Sequence, residues 1–572
     1  MRDGAFGRSL RIAGPWAVVA GLAWVSAAVR AEGPIVLRNV DDRTAVTFRH
    51  TDGSAGKLHI VETVASGLAT FDYDGDGLID IYFLNGAPLE GTKVDVPPKN
   101  HLYRNLGDFR FAHVTDQAGM GDTGYGLGVA VGDYDADGDA DLYVSNFGPN
   151  VMYRNNGDGT FTDVARQAGT ACADDRKVGA GAGFLDIEGD GDLDLFVANY
   201  LGFSYDMRVM NARRGVPVYP VPSRFPPWPS NLYRNNGDGT FTDISEQSGV
   251  GLHEGRGMGV VSADYDNDGD TDIFVSNDGP PGNFLFQNDG TGKFEEVGWL
   301  SGTAFNYAGL AYGSMGVACG DYDNDGHLDF FVTSYQRQMA ALFRNLGDGL
   351  FDDVTQATGA GRGSFNQVTW GCGLVDFDND GHKDIFYVCG HVDDNIDQLD
   401  DTTSYLAPPE LLNNNGDGTF ANVSESIGDS ARTPSVGRGA AFDDLDNDGR
   451  VDVVILNSRR PPTILRNESA NANHSIQIRL RGVKTNRDGV GARVTVTAGD
   501  LVQIDEVYSG RGYQSHYGTR LHFGLGKRTR VDRVEVRWIG GGTDMVENVT
   551  VDRLLTIVEG GAPSKGGNRP AN

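Results

Sequence analysis

The chain has 572 residues, 81 of them glycine, and sets 79 acidic against 48 basic side chains for a formal net charge of −31. Glycine without a G-X-Y period excludes collagen, and 10% aromatic content excludes an acidic disordered chain. So negative a field disfavours nucleic acid and anionic lipid as partners and favours cations, and four cysteines without CxxC spacing are too few for a disulfide scaffold.

At the N-terminus, Arg2, Arg8 and Arg11 precede an uncharged, mostly apolar run over 12–29 and a small-residue exit at Val29-Arg30-Ala31. This pattern predicts a secretory signal over residues 1–31, with an uncleaved anchor as the alternative. The mature chain is then expected to be secreted, periplasmic or at the cell surface, a monomer, and not inserted in the membrane.

From Asp72 onward one string, D-x-[DE]-x-D-G-x-x-D, occurs seven times, starting at Asp72, Asp133, Asp186, Asp264, Asp321, Asp376 and Asp444. A second string follows each of the first six, as in MYRNNGDGTFTDV over 152–164; only ILRN, at 464–467, follows the seventh. Glycine- and alanine-rich apolar stretches lead into each acidic loop, and β-rich runs such as DLYVSN lead out. N-G and D-G between apolar runs mark hairpins. Each unit therefore reads as a four-stranded antiparallel meander, and residues 32–470 as a seven-bladed β-propeller. Blade seven lacks its fourth strand, and IVLRNV at 35–40 is expected to supply it and close the ring.

The acidic loops suit Ca²⁺, which takes six to eight hard oxygen ligands in a flexible cage. Position one offers Asp72, Asp133, Asp186, Asp264, Asp321, Asp376 and Asp444. Position three offers Asp74, Asp135, Glu188, Asp266, Asp323, Asp378 and Asp446. Position five offers Asp76, Asp137, Asp190, Asp268, Asp325, Asp380 and Asp448. Position nine offers Asp80, Asp141, Asp194, Asp272, Asp329, Asp384 and Asp452. Position seven gives a backbone carbonyl, from Leu78, Asp139, Asp192, Asp270, His327, His382 and Arg450; both imidazoles are expected to face solvent. Glycine at position six permits the sharp turn. About seven Ca²⁺ ions follow, with the Glu188 loop the weakest site.

Alternate connections of a meander share a face of the ring. The acidic loops and N-G-D-G turns therefore lie on one face, and three long connections, 86–99, 201–230 and 392–409, on the other. Calcium is expected to stiffen blades rather than touch a ligand. Tyr205, Tyr219, Phe225, Trp228 and Tyr405, on the two longer insertions, are the candidate ligand-face residues; the alternative is that they only cover the channel. Cys372 and Cys389 flank the sixth loop, as free thiols or as a pair across its hairpin.

After the repeats, alternating strands at 476–480, 492–497, 503–507, 521–524, 531–538, 544–549 and 554–558 predict a small β-sandwich over 471–560. Residues 561–572 read as a disordered tail. The acidic repeats resemble the FG-GAP and VCBS repeats of integrin-α-type propellers. NHSIQIRLRGVKTNRDGVGARVTV (473–496), YSGRGYQSHYGTRLHFGLG (508–526) and VDRVEVRWIGG (531–541) resemble the ASPIC/UnbV domain. Together they resemble the cartilage acidic protein family, which implies a secreted calcium-binding propeller with an attached β domain. Relatives often carry a cysteine pair in the blade-three insertion; 201–230 has none.

No GxSxG elbow, HExxH helix, P-loop or dinucleotide fingerprint is present. The leading expectation is a non-enzymatic binding or adhesion module for an extracellular protein or glycan. The runner-up is a polysaccharide-acting enzyme with a site formed by the 201–230 and 392–409 insertions, acid and base drawn from Asp393, Asp394, Asp397, Asp400 and Asp401 of the second.

Overall fold

The structure, a computed structural model, describes residues 34–172, 174–207 and 209–561. The signal expected at 1–31 and the tail beyond Gly561 lie outside the described residues. Blade one shows the plan of all seven. Its strands Leu68–Phe71, Asp80–Phe83, His101–Asn105 and Phe111–His113 pair antiparallel in chain order. Blade seven uses Gly437–Asp443, Asp452–Asn457 and Thr463–Asn467, and takes its fourth strand, Leu37–Asn39, from the start of the described chain. Leu37 pairs with Asn467, and a bond from Val36 N–H to Ser469 Oγ at 3.1 Å joins residues 433 positions apart.

Two backbone demands explain the acidic string. Position four is left-handed in every loop: Gly75, Ala136, Gly189, Asn267, Asn324, Asn379 and Asn447 all have φ between +57° and +71°. Glycine and asparagine tolerate that region best. Position six, always glycine, has φ between +88° and +105°.

The asparagine ending each LYRN-type strand ties one blade to the one before it. Asn155 donates to Tyr73 O, Asn235 to Tyr134 O, Asn288 to Ile187 O and Asn345 to Tyr265 O. Asn414 donates to Tyr322 O and Asn467 to Phe377 O, and Asn105 closes the circle on Leu445 O of blade seven. Each of these buried bonds spares a carbonyl that would otherwise be orphaned between sheets.

The C-terminal region forms two sheets. Leu521–Gly526, His474–Arg481 and Arg553–Val558 make one; Leu501–Glu506, Arg493–Ala498, Arg530–Arg537 and Thr543–Thr550 make the other. The last strand runs parallel to the first of the domain, a pairing that strand periodicity does not reveal. The domain's core, including Ile476, Val496 and Trp538, is continuous with Tyr134, Phe184 and Leu193 of the ring.

The segment between the domain's third and fourth strands, residues 508–518, enters the channel from the acidic-loop face. His516 N–H donates to Leu68 O and Thr70 N–H donates to His516 O, at 2.9 and 3.0 Å. Val129 N–H donates to Gln514 O, and Gly512 exchanges two backbone bonds with Val317. Ser509 Oγ donates to Val131 O and accepts from Phe184 N–H, and Tyr517 OH donates to Cys372 O. Gly518 N–H donates to Asp443. The small residues of the inner strands now have a cause. A Cβ on Gly67 would lie 1.7 Å from Gln514 O, and one on Gly259 2.6 Å from Gly512 O. The channel is plugged by the chain's own C-terminal domain.

Candidate metal centres and a cavity at the ring axis

Each acidic loop is folded by its own carboxylates. In blade one, Asp72 Oδ2 accepts from Gly77 N–H at 3.1 Å, and Asp80 accepts from Tyr73 N–H and Asn105 N–H at 3.1 and 2.7 Å. Position nine is thus a buried hub joining loop to LYRN strand. Oxygens of positions one, three and nine lie within 4.8 Å of one another in the loops of Asp72, Asp133, Asp264 and Asp376; in the Asp321 loop the group is Asp321, Asp323 and Asp325.

Burial and mutual repulsion strain these groups in a way that a bound cation would relieve. Desolvation lifts Asp133, beside Asp488, and Asp321 to about 7, and Asp141 to about 9. It holds Asp80, Asp194, Asp272 and Asp329 well above the ordinary carboxylate range. Buried oxygens of Asp72, Asp135, Asp264, Asp323 and Asp446 have no hydrogen-bond partner. Orphaned carboxylate oxygens converging in all-oxygen sites fit a hard divalent ion and suit zinc or copper poorly.

Arginines border the loops. Arg104 pairs with Asp74 and Asp76, and Arg344 with Asp323 and Asp325, at 2.7–3.0 Å. The docked C-terminal domain adds Arg479 and Arg520 near Asp72 and Arg537 against Asp264. The acidic face is therefore partly an internal interface. The imidazoles of His327 and His382 do not face solvent as expected: both are half-buried between blades, 3.4 and 3.3 Å from Asn267 and Asn324 of the preceding loop. The blade spacing that buries them is set by the asparagine ring. In the third loop, Glu188 is half-buried and Asp186 caps the N–H groups of Gly189, Asp190 and Gly191. All four cysteines are free; Cys372 stands opposite Tyr387, and Cys389 opposite Thr369.

On the other face the two long insertions meet. Asn395 Nδ2 donates to Pro217 O, and Val218 packs with Ile396 and Leu399. Arg256 clamps the first insertion by donating to Pro222 O, Phe225 O and Pro280 O at 3.0–3.2 Å. Beneath this cap, at the channel mouth, lies a cavity of about 360 Å³ whose buried wall residues include Met258, Met315 and Trp370. Its rim includes Tyr219, Asp278, Tyr312, Tyr335, Gln338 and Asp393.

Of the five candidate ligand-face residues, only Tyr219 lines this cavity, its hydroxyl donating to Glu62 at 3.0 Å. Phe225 is buried in the core 6.1 Å from Phe203, because the insertion must cover apolar strand ends. Trp228 is half-buried in a short strand paired with Gly255, with Arg176 over its ring. Tyr405 accepts a hydrogen bond from Arg459, and Tyr205 packs edge-on to His59 and Phe203. These four belong to the cap's own packing. The five insertion acids do not converge either. Asp393 alone reaches the cavity. Asp394 faces Arg459, Asp400 is held by Arg337, and Asp397 and Asp401 are exposed.

Sequence reasoning missed Asp278, Tyr335 and Trp370, which stand at strand ends in three different blades with no local motif to mark them. Asp278 accepts from Tyr200 OH at 2.8 Å, and burial lifts its carboxyl to about 6. Behind Trp370 lie the Arg438 guanidinium, 3.9 Å from its ring centre, and the plug residue Tyr513, edge-on at 5.0 Å.

A closed ring of seven blades, with carboxylate-rich loops on one face and an attached β domain docked over them, defines an acidic-loop β-propeller. The FG-GAP-like repeat model matches residues 72–144, 133–197, 225–275, 264–332 and 321–387, and the ASPIC and UnbV model matches 482–564. The chain belongs to the FG-GAP-repeat proteins that carry an ASPIC and UnbV domain. It is 24% identical over 511 residues to cartilage acidic protein 1 of Xenopus tropicalis, covering 83% of this chain and 70% of that protein. With cartilage acidic protein 1 of Homo sapiens the identity is 26% over 383 residues, covering 62% and 50%. Among solved structures, an N-acetylglucosamine-recognising Agrocybe aegerita lectin overlaps 64% of this chain and 82% of its own, at 18% identity and a TM-score of 0.35, too slight an overlap to carry over a function. No helix among the described residues is long and apolar enough to cross a membrane.

Proposed function

We propose that this protein is an exported, non-enzymatic binding module, its ring stapled by about seven calcium ions and its ligand received in the axial cavity. The carrying observation is that cavity. It opens on the face away from the docked C-terminal domain, and its aromatic walls hold polar groups not consumed by the fold. The unpartnered carboxylate oxygens support the calcium assignment, since Mg²⁺ takes crowded all-protein cages poorly. When bound, calcium would neutralise the loops, held by positions one, three, five and nine with the carbonyl at seven. Similarity to cartilage acidic protein 1 supports an extracellular setting, where calcium is plentiful.

One observation favours an enzymatic second reading: Asp278 and Asp393 share the cavity, and Asp278 is raised toward neutrality. Incubating the calcium-loaded protein with a polysaccharide panel separates the two. Retention without release of reducing ends is expected. Reducing-end release that disappears in Asp278→Asn would overturn the non-enzymatic reading.

A further inference from the structure

We propose that the axial cavity is a subsite for one uncharged sugar ring, held edge-on by Asp278, Asp393, Tyr335 and Gln338 and faced by Tyr312 and Trp370. This rests on the binding-module reading above and names its ligand class.

The fold leaves several polar groups of the cavity unused. Tyr200 OH occupies Asp278 Oδ2, and Tyr219 N–H occupies Asp393 Oδ1, so each carboxylate keeps one oxygen without a partner. Gln338 spends its carbonyl on Gly313 N–H at 2.8 Å and keeps its NH₂ group. The Tyr335 hydroxyl has no partner, whereas that of Tyr312 is bonded to Asp353 at 3.2 Å. Two half-used acceptors, one amide donor and one phenol thus face a space walled by aromatic rings and two methionines. Hydroxyls that both donate and accept, on a ring with apolar C–H faces, satisfy such a set.

Charge argues for a neutral occupant. Arg256 stands within electrostatic reach of Asp278, and Arg213 of Asp393, so the charge of each carboxylate is partly offset. A cationic ligand would find its counter-charge partly offset by the arginines, and an anionic one would still stand against two carboxylates. The cavity's 360 Å³ admits a single pyranose ring with its first-shell water, not a folded peptide segment. Its deep wall depends on the C-terminal domain, because Tyr513 of the plug backs Trp370.

The test is calorimetric titration of the calcium-loaded full chain with methyl glycosides of neutral hexoses, with choline and with methyl glucuronide. At least one neutral glycoside is expected to bind with millimolar affinity. Tyr335→Phe and Asp278→Asn are each expected to weaken that binding about tenfold or more, as removal of a hydrogen bond to a charged or buried group does. Trp299→Ala, at an exposed site on blade four's outer edge, should leave it unchanged. Choline or glucuronide binding more tightly than every neutral glycoside would overturn the proposal. So would the absence of glycoside binding up to about 100 mM, or binding indifferent to Tyr335→Phe and Asp278→Asn. An extracellular protein ligand captured equally by wild type and Tyr335→Phe sinks the sugar subsite but spares the binding module; turnover sinks the module itself.

Discussion

The two faces of the ring are built in opposite ways. On the acidic face one short string solves the same local problem seven times: a left-handed turn at position four, glycine at six, a buried carboxylate at nine, and an asparagine reaching back to the previous blade. On the other face no string repeats, and the cap and cavity arise from two dissimilar insertions and from strand ends of different blades. Repetition makes the first face a scaffold. Irregularity leaves the second without a shared local rule.

Calcium removal should break this comparison most violently. In calorimetry, EDTA is expected to lower the melting temperature steeply relative to millimolar calcium, since each site held at a hundredfold its Kd contributes about 2.7 kcal/mol. Identical melting in the two conditions would end the claim that the acidic face is a metal scaffold. Next in size is Asn345→Ala, which strips donors from Tyr265 O and Leu328 O. Denaturant titration should show a loss of about 3 kcal/mol from two buried carbonyls left unpaired, and a loss under 1 would demote the asparagine ring to decoration.

A pH-dependent effect tests the axis, where the faces meet. His516 in the plug accepts from Gly510 N–H, and burial, reinforced by Arg511, lowers its pKa to about 3. Its ordinary value is near 6.5, so the neutral ring's contribution is fully present above pH 6.5 and is lost as pH falls toward 3. The stability difference between wild type and His516→Gln should shrink by about 1.4 kcal/mol per pH unit across that window. Taking the difference removes the buried aspartates, whose raised pKa values act with the opposite sign. A flat difference would mean that the imidazole is already solvated and the plug loose.

Legibility followed the same division. The hairpins and the acidic string could be read because each is fixed by neighbours within about ten residues, and the pattern is sampled seven times; the closing strand, paired some 430 residues away, could be read only from the strand that blade seven lacks. The glycine-rich stretches of the inner strands were visible, but not their cause, since the carbonyls of Gln514 and Gly512 that crowd Gly67 and Gly259 come from the far end of the chain. The asparagine ring was in plain sight as LYRN, yet its partner sits one blade back, some eighty residues earlier in the case of Asn155. Aromatic content misled on the insertions. Phe225 and Trp228 serve packing, while Asp278 and Tyr335, in unremarkable strand-end sequence, line the cavity.

The strand Leu37–Asn39 and the segment inserted through the hub have one further consequence. The molecule is knit from both extremities at once, so no prefix of the polypeptide can reach the finished state while it is still being delivered. The ring can therefore be completed only after the hub-filling segment 508–518 has been synthesised, and folding should be slow relative to a chain whose blades close on near neighbours.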